Sequence, residues 1–267
     1  YRMVGRYTRL IMTSLSTFYA PRIRIPSMIQ RGKTQTVSLS IYRNGGIITP
    51  TACTYQLLDD DGTDVIPTTA GTISVAECQY VINASVVPDT MDLTDGLYEI
   101  WQVTIDGIDF TFQRPAYLCR RPLYPVVSQI DLEACYSDLA NLLPVSYTNG
   151  YQPWIDEAWV RIVERLRQQG NLPYLITDVQ TLRGPHLELS LALIWRNMHT
   201  AIGTASGYLD LYQAHIRSYE YQWKQLSFRY DMDKDGVPDD PKTRRAAQPM
   251  ISTSNPPRWG YSRIRRY

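Results

Sequence analysis

Hydrophobic period changes once along this chain, and that change limits what it can fold into. Between residues 35 and 120 apolar residues alternate, as in "TQTVSLSIYRNGG", where Val37, Leu39 and Ile41 share one face. After residue 128 they recur every three or four positions: Ile155, Ala158, Trp159, Ile162, Val163 and Leu166 form a single stripe. A period of two lines one face of a strand, and a period near 3.6 lines one face of a helix. Between the regimes stands "RRPLYPVV" (120–127), whose two prolines read as a semi-rigid hinge. The expectation is an α+β multidomain chain: an antiparallel β-sandwich, then an α-helical bundle. A length of 267 residues suits two modest domains.

Turn chemistry refines the first half. Asn44-Gly45, Asp61-Gly62 and Asp106-Gly107 mark tight turns between short strands. The clearest hairpin is "DGLYEIWQVTIDGIDFTFQRPAYLC", with Leu97, Glu99, Trp101 and Val103 on one face and Tyr98, Ile100 and Gln102 on the other. Upstream, Pro21 and Pro26 flank "RIRI" and disfavour helix, so residues 1–34 read as an extended arm.

In the second half, Ser128 is expected to cap a helix over "QIDLEACYSDLANLL", with Asp131 at the third position and Pro144 as its stop. Pro153 opens the next helix and Gly170 ends it. A short helical turn follows Thr177, with Gln180 completing a capping box. Pro185 opens a helix through Met198, and Ser206 begins the last and longest one. Tyr208, Tyr212, His215, Tyr219, Trp223, Leu226 and Tyr230 give that helix an aromatic stripe, read as core. The divisions are therefore 1–34 (basic arm), 35–127 (sandwich and hinge), 128–230 (helical domain) and 231–267 (acidic loop and extended basic tail).

Net charge is only +1, but it is unevenly spread. Residues 1–58 and 241–267 hold no Asp or Glu, and carry eight and seven basic residues. All 26 acids lie within 59–240, against the remaining 12 of the 27 basic residues, so the body stands near −14 and the ends near +15. Such ends are expected to be arms that order against an acidic neighbour or bind nucleic acid, with two solvated tails as the alternative. The chain also carries 20 tyrosines, whose apolar ring and polar tip suit wet interfaces.

Catalytic signatures are missing: there is no Gly-rich phosphate loop, no GxSxG and no HExxH. His186, His199 and His215 lack ligand spacing, and no nucleophile–base pair stands out, so no enzyme activity is expected. Cys53, Cys78, Cys119 and Cys135 have no zinc-type spacing and read as buried free thiols in a reducing compartment, with a Cys53–Cys119 bridge across the sandwich as the alternative. No apolar run approaches the roughly 18 residues that cross a membrane. "RYTRLIMTSLSTFYA" is too polar for a signal peptide. Tyr1 is no initiator, so sequence upstream is expected, with Met12 as an alternative start.

One metal-like motif stands out. Residues 231–240 hold five aspartates where a helical pattern ends, although a helix C-terminus repels carboxylates. Asp231, Asp233, Asp235 and Gly236 match DxDxDG, the start of a calcium loop. Val237 would offer its carbonyl and Asp239 would take the ninth position, whereas the twelfth, normally Glu, is Lys242. A structural Ca²⁺ held by Asp231, Asp233, Asp235, Val237 and Asp239 is one reading. An acidic turn bridged by an arginine from a neighbouring chain, or left to solvent, is the other.

Two resemblances follow. "LTDGLYEIWQVTIDG" resembles the Asp-x-Gly-x-Tyr-like segment of immunoglobulin-type domains, although the Cys…Trp…Cys pattern of antibody domains is absent. It implies an immunoglobulin-like sandwich. Residues 128–240, with "SQIDLEACYSDLANLLP", "YTNGYQPWIDEAWVRIVERLRQQGNLPYLITDVQTLRGPHLELSLALIWRNM" and the helix ending in "SFRYDMDKDGVPD", resemble the head-to-tail connector (adaptor) proteins of tailed bacteriophages. That resemblance implies a structural virion protein at the neck, assembled in the host cytoplasm. It would form a homo-oligomeric ring, typically of twelve copies, between portal protein and tail proteins. Genomic DNA would pass through without sequence-specific binding. The tail, with Arg244, Arg245, Trp259, Tyr261, Arg263, Arg265, Arg266 and Tyr267, would contact the portal or a neighbouring subunit. A capsid-decorating or receptor-binding module anchored by its helices is the alternative, and a nucleic-acid-binding protein using its basic ends is a third.

Overall fold

The structure is a computed structural model and describes residues 19–21, 24–143, 149–202 and 207–231. The N-terminal part is strand-rich and forms two five-stranded sheets. The first runs β1 (Tyr19–Pro21), β3 (Gln35–Arg43), β8 (Glu77–Ile82), β7 (Thr72–Ser74), with β4 (Gly46–Ile48) also paired to β3. The second runs β2 (Ser27–Gln30), β10 (Ile108–Cys119), β9 (Thr94–Ile105), β5 (Ala52–Leu58), β6 (Asp64–Ala70).

Alternation sets the faces. Val37, Leu39 and Ile41 are buried, and so are Cys53, Tyr55 and Leu57 of β5 and Leu97, Glu99, Trp101 and Val103 of β9. Asp106 and Gly107, with φ of 53° and 78°, make the primed turn that matches strand twist between β9 and β10. The stretch expected as an arm differs from that expectation in part. β1 and β2 lie within it, β1 joining one sheet and β2 the other. β2 runs parallel to β10, pairing Ser27 with Ala116 and Gln30 with Cys119, so the sandwich is not wholly antiparallel.

Glu99 brings a charge into this core. It has no exposed surface, and Arg114 Nε donates to it at 2.6 Å from the facing position on β10. The Tyr55 hydroxyl and Trp101 Nε1 donate at 3.4 Å each. A buried carboxylate is tolerable only when its lone pairs are met, and here β10, β5 and its own strand β9 supply the donors.

The C-terminal part is helical: α1 (Gln129–Cys135), α2 (Leu139–Leu142), α3 (Gln152–Gln168), α4 (Arg183–Ile202) and α5 (Tyr208–Gln225). Short 3-10 turns span Pro173–Leu175 and Val179–Leu182. The single helix expected after Ser128 is broken at Tyr136, which adopts extended backbone. Its ring packs edge-on against Trp195, 5.2 Å between centroids, and its hydroxyl meets His215 Nε2 at 2.9 Å. Asp178, rather than Thr177, caps the second 3-10 turn, accepting from the Gln180 amide at 3.0 Å. The last helix stops at Gln225, so Leu226 and Tyr230 of the aromatic stripe lie beyond it.

α4 is central. Leu189 and Leu193 face a core shared with α3 and α5, while Leu191, Ile194, Trp195 and Met198 face a second core with α1 and Tyr151. A helix apolar on several sides needs partners on several sides, which accounts for "LSLALIW". Arg165 clamps α3 to α5: it is bidentate to Glu220 at 2.7 and 2.8 Å and lies over Trp223, 4.6 Å from the ring centroid. No described helix is long and apolar enough to cross a membrane.

The hinge is packed against the body. Leu123 and Val127 are buried in the helical cores, and Ile25 and Met28 reach the same packing from the strand side. Arg24 pairs with Glu157, and with Glu164 at 3.5 Å. Tyr117 of β10 lies against Tyr174, 5.9 Å between centroids. These contacts hold the two regions together across the prolines.

Candidate functional site: the root of the C-terminal segment

After α5 the chain turns into extended backbone at Leu226 and runs back along the helical region. The Thr177 amide and hydroxyl both donate to the Arg229 carbonyl, at 3.1 and 3.0 Å. Tyr230 forms an isolated antiparallel bridge with Ile176, and the Asp231 amide donates to the Leu175 carbonyl at 3.2 Å. The Tyr230 hydroxyl donates to Asn171 Oδ1 at 2.6 Å. Residues 229–231 are thus stitched by backbone and side chain to 171–177. Pro173 cannot continue an α-helix and helps leave that stretch free to receive them.

Asp231 closes the stitch onto the sandwich. It is 1% exposed, and its carboxylate lies 3.2 Å from Arg120 Nε, just beyond the end of β10. Residue 231 is therefore tied to both regions, by its amide to Leu175 and by its carboxylate to Arg120. Beside it opens a cleft of about 180 Å³ whose lining includes Leu93, Arg121, Tyr174, Asp178 and Arg229. Arg120 and Asp231 line it too.

The sequence left open what holds the first aspartate of the acidic run. The Asp231 carboxylate lies against an arginine of its own chain, where the sequence had suggested a neighbour's. A calcium loop would need that carboxylate as its first ligand. The other proposed ligands, Asp233, Asp235, Val237 and Asp239, lie outside the described residues, as do Arg244, Arg245, Trp259, Tyr261, Arg263, Arg265, Arg266 and Tyr267. Among the described residues no group of three or more His, Cys, Asp or Glu is placed to hold a metal ion.

A second polar cluster went unseen in the sequence. His215 Nδ1 meets Glu188 Oε2 at 2.7 Å while Nε2 meets Tyr136, so one ring ties α5 to α4 and to the end of α1. His186 is fully buried, joined through Nε2 to the Ile155 carbonyl at 3.0 Å and packed on Trp159. Burial lowers its pKa below the ordinary value. The four cysteines are free. Cys119 donates to the Ile29 carbonyl at 3.3 Å and Cys53 to the Thr72 carbonyl at 3.6 Å, so the Cys53–Cys119 bridge is not formed.

These arrangements brace and aim: the clasp joins backbone to backbone, and each polar cluster spans elements rather than converging on one reactive atom. No protein-family model matches the chain, and no curated protein matches it in sequence.

Proposed function

We propose that the chain is a non-catalytic virion protein, a subunit of a head-to-tail connector ring, with an immunoglobulin-like N-terminal sandwich. The observation that carries this reading is the Arg120–Asp231 clasp, which fixes where the tail leaves the body. An arm that docks on a neighbour binds better when its root is already ordered, because less entropy is lost on docking. That arm, 241–267, is acid-free and rich in arginine, and the body is acidic, so subunits can clasp one another head to neighbour.

The sandwich assignment draws on strand order. The first two strands split between the sheets, and β2 runs parallel to the last strand, an arrangement that suits an immunoglobulin-like domain. In this reading about twelve subunits encircle the DNA path beneath the portal, and the basic tail meets the portal or the next subunit. The acidic body keeps passing DNA from sticking, since phosphate attraction is what makes such binding tight.

Deleting 241–267 tests the arm. The truncated chain should remain a folded monomer yet fail to form rings or to bind portal. Normal ring formation without the tail removes the arm from the account.

A further inference from the structure

At Gly71 the chain crosses from β6 in one sheet to β7 in the other. The Gly71 amide donates to the Cys53 carbonyl at 2.9 Å. A Cβ placed on Gly71 would stand 2.8 Å from Cys53 Sγ and 2.9 Å from the Gln79 carbonyl oxygen. Only a hydrogen fits there, so β5 and β8 approach closely around this corner. Cys53 Sγ lies 3.6 Å from the Thr72 carbonyl oxygen, and β7 pairs Thr72 with Gln79 and Ile73 with Cys78. Cys53 and Cys78 are 6% and 0% exposed and sit in one core cluster.

We propose that Cys53 and Cys78 form a disulfide that staples the two sheets of the sandwich under oxidising conditions. A bridge needs its two backbones within reach, and the Gly71 corner supplies that approach between sheets that otherwise stand about 10 Å apart. Cys119 is committed to Ile29, and Cys135 is exposed on α1, away from this corner.

The reaction takes a small-molecule disulfide, such as oxidised glutathione, as oxidant. One protein thiolate attacks a glutathione sulfur, forming a mixed disulfide and releasing one glutathione. The second protein thiolate attacks the protein sulfur of that mixed disulfide and releases the other. The protein loses two electrons and two protons, and glutathione disulfide becomes two glutathione thiols. Burial raises the pKa of both protein thiols, so the folded pair is a weak nucleophile and the bond forms while the chain folds. Once closed in the core, it is shielded from reductant.

The test is to refold the full chain in a buffer of reduced and oxidised glutathione, alkylate the remaining thiols in denaturant, and map the peptides. The predicted result is a link between the Cys53 and Cys78 peptides, with Cys119 and Cys135 alkylated. The melting temperature should rise by about 5–10 °C, reversibly with dithiothreitol during refolding, and the rise should vanish in Cys53→Ala. Alkylation of Cys53 and Cys78 to the same extent as Cys119, or a link from Cys53 to Cys119, would overturn the proposal. The peptide map uses the unsubstituted chain, so it decides the matter even where Cys53→Ala fails to fold.

Discussion

Arg120 and Asp231 are unequal partners, and their inequality is measurable. The Asp231 side chain is 2% exposed, while that of Arg120 is 33% exposed. Removing the arginine takes the cation from a buried carboxylate. Removing the carboxylate leaves a guanidinium that water can still reach. Arg120→Ala should therefore cost about 3 kcal/mol in urea unfolding, and Asp231→Asn roughly 1 kcal/mol. Equal costs would mean the pair is not buried as described. His186 makes a second prediction at this scale. Its folded pKa lies below the unfolded value of about 6.5 because burial disfavours the charged ring. The unfolded chain then binds more protons over that interval, so this contribution to stability is complete above pH 6.5 and declines as pH falls through it. Unfolding curves at pH 7.5 and 5.5 should separate less for His186→Gln than for the unsubstituted chain. Neither feature was legible in the sequence. Arg120 and Asp231 stand at opposite ends of the helical region in chain order, and nothing local in "RRP" or "DMD" joins them.

At the scale of elements, periodicity told most. Alternation placed Glu99 on the same face as Leu97, Trp101 and Val103, and that face is buried. It could not supply the partners, because Arg114 and Tyr55 arrive from neighbouring strands. Arg114→Ala should cost about 3–5 kcal/mol, the effect of leaving a buried carboxylate without its cation. Glu99→Gln with Arg114→Leu should recover part of that loss in a thermal melt. The break after α1 was hidden for a related reason: "QIDLEACYSDLANLL" has helical period throughout, and Tyr136 leaves the helix to meet Trp195 and His215, residues far along the chain. The prolines of 120–127 suggested a hinge, whereas burial of Leu123 and Val127 fixes the segment by tertiary contact. β1 and β2 were read only as extended backbone, since the ladder hydrogen bonds that turn an extended arm into strands come from β3 and β10. Hydrogen exchange tests the clasp as an element: the Asp231 amide, bonded to Leu175, should exchange more slowly than the Ser227 amide, which follows α5. Similar rates would mean that the root is not held.

Three features combine in the whole molecule: an acidic body, basic ends, and a residue 231 tied to both halves. The sequence carried the first two because charge counts need no fold. It could not carry the third. A calcium loop at 231–242 is another way to aim the tail, and it would have to share the Asp231 carboxylate with Arg120. Thermal melts in millimolar calcium and in chelator should therefore coincide, and a rise with calcium would give the loop a metal after all. The central claim is assembly, and negative-stain electron microscopy of the purified full chain tests it most directly. The account predicts closed rings of about twelve subunits, sparse in Arg120→Ala where the tail root is released. Monomers at every concentration and salt condition would contradict it.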